Sequence, residues 1–423
     1  MAKNPARNAS RRQLLLASAG VASLSWPVLA RAQPAGQRSR PKSPPVWTGF
    51  GLNGGAEQAR YDLTREFVSQ TRKLSLSDVE AFTDESRLVE SLLSQQKNPL
   101  VQFKKSVEFG EDLLVGFAHD YELALGARLG RGEQNANHFF IFMSGVGLVL
   151  SFNQSSGWRI VSSFPFMFRV ERWAGDDFKN WRAKSVGFMD EAYKGYSAAF
   201  VEMLGRFNKW DQGFASNYFA RLSKATIHPD AQAKLASFKI EKILNQELLG
   251  FSSSSAICDN LNSPLLAFQE NDALAKRYAV KFSNNLISQG VIAIPDAYLK
   301  FEVVLRDLDK KIIHSTQRGV TIIRRTLVLR FLAIDEFADE KDRRFLNVLA
   351  ASTSEDRIPL NSEEDDTPER DVVFFDRLLS RTLANLLSGL AKRDAQTLAQ
   401  AEVRLDAVAP AIPRLLELCA KTR

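Results

Sequence analysis

Residues 138–172 read HFFIFMSGVGLVLSFNQSSGWRIVSSFPFMFRVER, and this stretch decides the fold class. Its apolar runs, 138–152 and 157–172, flank the polar segment 153–157, which ends in glycine and is typical of a hairpin turn. The runs are rich in aromatic and β-branched residues and therefore predict two antiparallel strands. Both runs are more continuously apolar than a strand that has one solvent-exposed face. We therefore expect this sheet to be covered on both faces, or to meet a partner or a membrane.

The next segment supplies a cover for this sheet. Within residues 177–210, apolar side chains recur every three or four residues, so one face of a long helix is apolar. These residues are Val186, Met189, Tyr193, Tyr196, Phe200, Met203 and Phe207. The pattern predicts a helix packed on the sheet, with a coiled-coil or partner-binding face as the alternative.

Further elements follow from periodicity on both sides of this stretch. Upstream, the sequence predicts mostly helix over 56–96 and strands over 100–108 and 113–126. Downstream, it predicts the following elements in order: helix 230–248, a loop at Ser252–Ser255, helix 272–288, strands 291–295, 299–306, 311–317 and 320–334, and helix 370–393.

Together these elements predict an α+β fold with two domains of antiparallel sheet meanders packed against long amphipathic helices. The domains are expected at 46–215 and 230–423, on either side of a polar region. Because both halves run from helix to antiparallel strands to long helix, we hypothesise that they are a divergent tandem pair.

Composition and charge exclude several protein classes. Among the 423 residues, 45% are hydrophobic and 25% charged, as in globular proteins. Residues 1–44 carry eight of the 56 basic residues and none of the 49 acidic ones, so the rest of the chain is near neutral. Whole-molecule charge therefore gives no support for nucleic-acid binding. No stretch beyond residue 40 has the roughly 20 apolar residues of a membrane-spanning helix.

The N-terminus carries an export pattern. Paired arginines, Arg11 and Arg12, precede an apolar run that continues to Leu29. Ala30 and Ala32 then provide the small residues that a signal peptidase reads, which predicts a cleavable signal over residues 1–32.

The arginine pair after a serine resembles a bacterial twin-arginine (Tat) signal peptide, with an ordinary Sec signal as the alternative. The resemblance covers only residues 1–32. It implies a periplasmic or secreted protein of a Gram-negative envelope that folds in the cytoplasm and crosses the membrane folded, with the Tat translocase as its partner during export. Residues 33–45 are Pro-rich without periodicity and predict a flexible tether.

The two cysteines, Cys258 and Cys419, would face an oxidising compartment after export. They could form a disulfide, or they could stay as two buried thiols, because the chain would fold first in a reducing compartment and has no Cys-x-x-Cys motif.

Two glycine-containing motifs are weak candidates for chemistry. Gly49–Gly54 matches the Gly-x-Gly-x-x-Gly pattern of dinucleotide sites, but too few residues precede it for the buried first strand of such a fold. We expect a flexible turn or small-residue packing there, and no cofactor. Ser144–Gly147 lacks the leading glycine of a nucleophile elbow, so no serine nucleophile is indicated.

His119 and Asp120, with Glu122 beyond, could orient an imidazole for acid–base chemistry or ligate a metal. Adjacent residues of a strand do not share a face, so a histidine at a strand end with solvated carboxylates is the expected arrangement. The other histidines, His138, His228 and His314, are isolated, and none has metal-site spacing.

Charged segments offer two further hypotheses. Acidic residues could bind calcium, although they lack EF-hand spacing, and basic residues could bind phosphate or an anionic glycan. The acidic candidates are Asp335, Glu336, Asp339, Glu340, Asp342 and Glu363–Asp366. The basic candidates are Arg324, Arg325, Arg330, Arg343 and Arg344. Solvated loops and ordinary surface pairing are the expected alternatives.

No clustered catalytic set is visible, whereas aromatic strand surface is abundant. The leading hypothesis is therefore a non-catalytic envelope binding or assembly factor for a protein partner or ligand. One alternative is a periplasmic hydrolase or metal-dependent enzyme with a site assembled from distant loops. A second is an outer-membrane-associated secretion or assembly component that makes contact through residues 138–172.

Overall fold

The computed structural model describes residues 44–53, 61–75, 83–105, 112–131, 134–153, 157–175, 178–207, 218–266, 268, 277–283, 290–293, 295–315, 319–359 and 366–422. Ten strands lie within these ranges. They are β1 (Val46–Asn53), β2 (Leu114–Arg131), β3 (Gln134–Asn153), β4 (Gly157–Trp173), β5 (Ala220–Ile227), β6 (Arg277–Phe282), β7 (Gly290–Ala293), β8 (Leu299–Ser315), β9 (Val320–Asp335) and β10 (Arg344–Pro359).

The helices of the described residues fall between and after these strands. They are α1 (Asp62–Arg72), α2 (Thr83–Ser94), α3 (Trp181–Gly187), α4 (Met189–Phe207), α5 (Pro229–Ser237), α6 (Gln246–Asn260), α7 (Glu340–Arg343), α8 (Pro368–Lys392), α9 (Ala395–Ala399), α10 (Leu405–Val408) and α11 (Ile412–Lys421). None of them combines the length and apolar character needed to cross a bilayer.

The strands form two sheets. The first is closed, in the order β1-β2-β3-β4-β7-β6 with β6 paired back to β1, and the second has the order β10-β9-β8-β5. In the first sheet, β2, β3 and β4 make the predicted antiparallel meander, and Asn153 pairs with Gly157 across the predicted hairpin turn. In the second, β8, β9 and β10 are antiparallel and β5 is parallel to β8.

The two faces of the closed sheet carry different apolar residues. The inner side is filled by a cluster to which all six strands contribute. Its strand members are Val46, Leu114, Ala118, Val146, Leu148, Leu150, Ile160, Val280, Phe282 and Ile292. The outer side, which includes Phe117 and Phe164, packs beneath α4, with the Phe117 and Phe200 rings stacked at a centroid distance of 4.6 Å. The aromatic side chains of residues 138–172 are therefore mostly buried, as predicted for a covered sheet.

The structure confirms the α+β class and the long amphipathic helices. The predicted helix over 177–210 is present as α3 and α4, and the helix over 370–393 as α8. Burial of the 138–172 hairpin also removes the exposed apolar surface that motivated the outer-membrane alternative.

Several predicted elements are wrong. Residues 252–255 lie inside α6, where buried serines pack against neighbouring elements, and the described part of 272–288 is strand β6. The described part of the predicted strand 100–108, residues 100–105, forms only an isolated bridge at Gln102. At Gly49–Gly54, where a flexible turn or small-residue packing was expected, the described residues 49–53 lie within the buried strand β1. In each case tertiary packing outweighs the local pattern.

The sheets do not separate at the predicted boundary. Strands β6 and β7 lie after residue 230 in sequence but complete the closed sheet of the first half. One apolar cluster also contains residues of both halves, from Trp47 to Cys419. The division into domains 46–215 and 230–423 and the tandem-pair hypothesis stay predictions. Residues 1–43, with the signal and most of the tether, lie outside the described residues.

Candidate functional site

A β-bulge brings His119 and Glu122 to the same face of β2. His119 pairs with Gly145 and Tyr121 pairs with Ser144, so Asp120 is an extra residue in the β2 strand. One extra residue reverses the alternation of side chains beyond it. Glu122 therefore points to the side that His119 occupies, beneath α1 and α4. Regular alternation along the strand predicted a histidine at a strand end with solvated carboxylates. That prediction was wrong because of the bulge.

The two side chains join a buried hydrogen-bonded network. The Nδ1 atom of His119 lies 2.9 Å from the Tyr196 hydroxyl, and its Nε2 atom lies 3.4 Å from Oε2 of Glu122. Oε1 of Glu122 accepts the backbone N–H of Thr64 at 2.7 Å, and Oε2 accepts the Thr64 hydroxyl. Because the single hydroxyl proton of Thr64 is used there, the Tyr193 hydroxyl, 2.7 Å away, donates to Thr64.

The bulge itself is held by polar contacts to the end of β1. Oδ1 of Asp120 accepts the side-chain amide of Asn53 at 2.8 Å. The Tyr61 hydroxyl lies 2.7, 3.0 and 3.2 Å from the carbonyl oxygens of Asn53, His119 and Asp120. These contacts stabilise the backbone that positions the histidine.

Gly145 makes the contact between α4 and the histidine geometrically possible. A Cβ atom at this position would lie 2.2 Å from the Tyr196 hydroxyl oxygen. The small-residue run 144–147, which does not form a nucleophile elbow, thus provides the space through which Tyr196 reaches His119.

Burial fixes the protonation of the two tyrosines. It raises the pKa of Tyr193 and of Tyr196 well above the ordinary value of 10.0, and the Glu122 and Asp120 carboxylates add to these shifts. Both phenols are therefore neutral hydrogen-bonding groups at physiological pH. Burial also raises the pKa of neighbouring Glu85, despite its ion pair with Arg72.

The network has the residue types of an acid–histidine–hydroxyl relay, but its side chains are buried away from solvent. The side chains of His119 and Glu122 are 0% and 1% exposed, and Asp120 is 0% exposed. The rings of Phe50 and Tyr61 pack beside the imidazole. A substrate cannot reach these groups in this conformation.

Surface concavities lie elsewhere. One of about 550 Å³ is lined by Arg65, Ser69, Lys73, Leu74 and Ser75, and another of about 430 Å³ lies on the outer face of the second sheet. Neither includes a residue of the buried network.

The remaining sequence candidates do not form a second site. Gly49–Asn53 lie within strand β1 and are buried, and Gly54 lies outside the described residues. His138 contacts Glu171 at 3.0 Å, His228 accepts the backbone N–H of Asp230 as the N-cap of α5, and His314 bonds Thr321.

The basic candidates are divided between surface and core. Arg324 is exposed and pairs with Glu355 at 2.6 Å, and Arg330 bonds Asn347. Arg325 is 0% exposed and pairs with Asp371 of α8 at 2.6 Å. It belongs to a largely buried network of balanced charge, whose members are Lys310, Arg325, Arg370, Asp356, Asp366 and Asp371. These ion pairs hold α8 on the sheet. Arg343 and Arg344 are exposed. Because Arg325 is buried in the core, the five basic candidates do not form a continuous surface strip.

The acidic candidates are paired or solvated. Asp335 pairs with Arg414 at 2.9 Å and Glu336 with Lys300 at 3.0 Å, whereas Asp339, Glu340 and Asp342 are exposed. Asp366 pairs with Lys310, and residues 363–365 lie outside the described residues. Across the described ranges, no group of three or more His, Cys, Asp or Glu side chains is arranged to hold a metal ion.

Cys258 and Cys419 are both buried. Burial raises the pKa of the Cys258 thiol, so it is protonated and unreactive at neutral pH. The signal residues Arg11, Arg12, Ala30 and Ala32 lie outside the described residues.

Aromatic side chains also form an exposed stack at one end of the second sheet. Phe337 is 63% exposed and stacks on Tyr298 at a centroid distance of 4.2 Å, and Tyr298 lies 5.5 Å from Tyr218. The turn that carries Phe337 is fixed, because its backbone N–H donates to the Asp335 carboxylate at 3.0 Å.

No protein-family model and no curated protein sequence matches the chain. The interpretation of these sites therefore depends on their geometry. Sequence reasoning missed Tyr61, Thr64, Tyr193 and Tyr196 as members of the buried network. The tyrosines at 193 and 196 were visible only as positions on an apolar helix face.

Proposed function

We propose that this chain is an exported protein of the bacterial envelope whose mature part is a non-catalytic binding or assembly factor. The main support for this proposal is that the His119 network is buried away from solvent. The described residues bring a histidine, carboxylates and hydroxyls together, but they do so where a substrate has no access. Exposed aromatic surface, in contrast, is displayed on a fixed turn at Phe337.

Export is supported by the sequence alone. The twin-arginine resemblance of residues 1–32 predicts that a chain beginning at Gln33 accumulates outside the cytoplasm. A variant with Arg11→Lys and Arg12→Lys should keep the full-length chain in the cytoplasm. Equal export of this variant would remove the twin-arginine route and leave an ordinary Sec signal.

Binding is tested with a photo-crosslinking amino acid at position 337 in the producing cells. We expect crosslinks to a defined envelope partner there, and far fewer from the exposed control position Thr353 on the second sheet. Absence of a position-dependent crosslink would count against the Phe337 surface as the binding region.

The enzyme alternative has one observation in its favour: His119 Nδ1 lies within hydrogen-bond distance of the Tyr196 hydroxyl, while its Nε2 lies 3.4 Å from the Glu122 carboxylate. If α1 and α4 open in solution, these groups could act in acid–base chemistry. Turnover by the purified protein that His119→Gln abolishes, with the fold retained, would replace the binding proposal by the enzyme.

A further inference from the structure

The closed sheet is completed by a short hairpin from a distant part of the chain. β6 pairs with β1 at Gly51–Phe282, Leu52–Lys281 and Asn53–Val280. On the other side, β7 meets β4 at one register pair within the described residues, Arg159–Ala293. The neighbouring strands β2, β3 and β4 pair with each other along almost their whole length. Among the residues that the structure describes, the β6–β7 hairpin is therefore the least extensively paired part of this sheet.

The hairpin is held mainly by apolar side chains on the inner side. Phe282 is 0% exposed, and a Cβ atom at Gly116 would lie 2.3 Å from its ring, so the glycine provides the slot for this phenyl group. Val280 and Ile292 are also buried in the inner cluster. Ser283 adds polar contacts, donating its backbone N–H to the Phe50 carbonyl at 2.9 Å.

Departure of the hairpin would create a binding groove. It would leave the backbone groups of β1 at Gly51–Asn53 without their β6 partners and uncover inner residues such as Leu114, Ala118 and Val146. A free strand edge beside an apolar groove is the surface to which an extended segment adds as a new strand.

We propose that the β6–β7 hairpin is an exchangeable strand that occupies a binding groove for an extended segment of a partner protein. The hairpin itself defines the chemistry of that segment. It must carry apolar side chains at alternate positions, as Val280 and Phe282 do, with an aromatic ring at the position that faces Gly116. This inference rests on the proposed binding function and specifies the class of partner.

The test uses a fluorescent peptide with the sequence of residues 277–283 and the purified protein. The peptide binds only when the hairpin leaves the groove, so apparent affinity follows the fraction of open protein. Phe282→Ala weakens the hairpin, and we expect it to bind the peptide at least about tenfold more tightly than the natural chain. Phe166→Ala, a buried aromatic deletion on the outer side of the sheet, is the matched control and should leave binding unchanged.

A crosslink supplies the opposite perturbation. Leu52 and Lys281 are direct partners in an antiparallel pair, so cysteines at both positions are close enough for a disulfide. The oxidised variant should lose peptide binding, and its β6 amides should exchange at least about tenfold more slowly, while the reduced variant behaves as the natural chain.

The proposal would be overturned by equal peptide binding by the oxidised and reduced variants, or by exchange of the β6 amides only through the global unfolding that exposes β2 and β3. A peptide with Phe282→Asp that binds as well as the natural sequence would also contradict it. These measurements need no cellular partner, so failure here leaves the crosslinking test of the proposed function intact.

Discussion

Replacement of Glu122 by alanine should destabilise the protein strongly, although the residue is not expected to contact a ligand. The Glu122 carboxylate accepts the Thr64 N–H at 2.7 Å and the Thr64 hydroxyl, and it lies 3.4 Å from His119. Its side chain is 1% exposed, so water cannot replace these contacts without entering the core. The variant would therefore remove the acceptor of two buried donors, the backbone N–H and the hydroxyl of Thr64.

The size of the effect follows from these contacts. Each hydrogen bond to a buried charged acceptor is worth about 1.5–3 kcal/mol, and breaking a buried charged network costs about 3–5 kcal/mol. We expect Glu122→Ala to lower the free energy of unfolding by about 3–5 kcal/mol. Glu122→Gln keeps an oxygen acceptor for Thr64 and should cost less.

Urea unfolding followed by tryptophan fluorescence measures this difference at pH 7. Glu202→Ala is the control, because this glutamate is 73% exposed and pairs only at the surface with Arg206, so it should change stability by less than about 0.5 kcal/mol. A cost below about 1 kcal/mol for Glu122→Ala would refute the buried network as described.

Three further predictions concern the same packed region and the buried thiols. Because burial raises the pKa of Tyr196 above 10.0, its phenol stays protonated in the fold, so its contribution to stability is complete below pH 10 and is lost as the pH rises further. Tyr196→Phe should therefore lose less stability than the natural chain between pH 9 and 11 in urea titrations, and parallel losses would contradict the assignment. Gly145→Ala should cost about 1–3 kcal/mol by overpacking, whereas Gly187→Ala, which faces open space, should not, and similar midpoints of thermal unfolding for the two variants would argue against the contact. Cys258 and Cys419 should react with a thiol reagent only after unfolding, and a native mass two daltons below that of the dithiol chain would instead reveal a disulfide.

The sequence predicts much of this fold because its strongest patterns are local. The alternation and length of 138–152 and 157–172 specify β3 and β4, and the apolar face of 177–210 specifies the cover formed by α3 and α4. The aromatic composition predicts burial on both faces of the sheet. These features need no knowledge of distant residues.

The elements that were missed depend on distant partners. β6 is a strand because Phe282 enters the slot over Gly116 and its backbone pairs with β1, and neither contact is visible in the local sequence. The sequence identified His119, Asp120 and Glu122 as a candidate but predicted solvated carboxylates at a strand end, because regular alternation was assumed and one bulged residue, Asp120, reverses the alternation of β2. A bulge has no reliable signature in one sequence, so the signal that the sequence offered was a histidine followed closely by two acidic residues, Asp120 and Glu122.

Native mass spectrometry of the protein recovered gently from the envelope of its own cells tests the central claim most directly. The mass of the denatured chain identifies its first residue, and the native mass reports what it carries. We expect a chain that begins at Gln33 and a heavier native species with a bound protein or ligand. A full-length chain confined to the cytoplasm, or a mature chain found only as a bare monomer, would contradict the proposal of an exported binding factor with a stable partner.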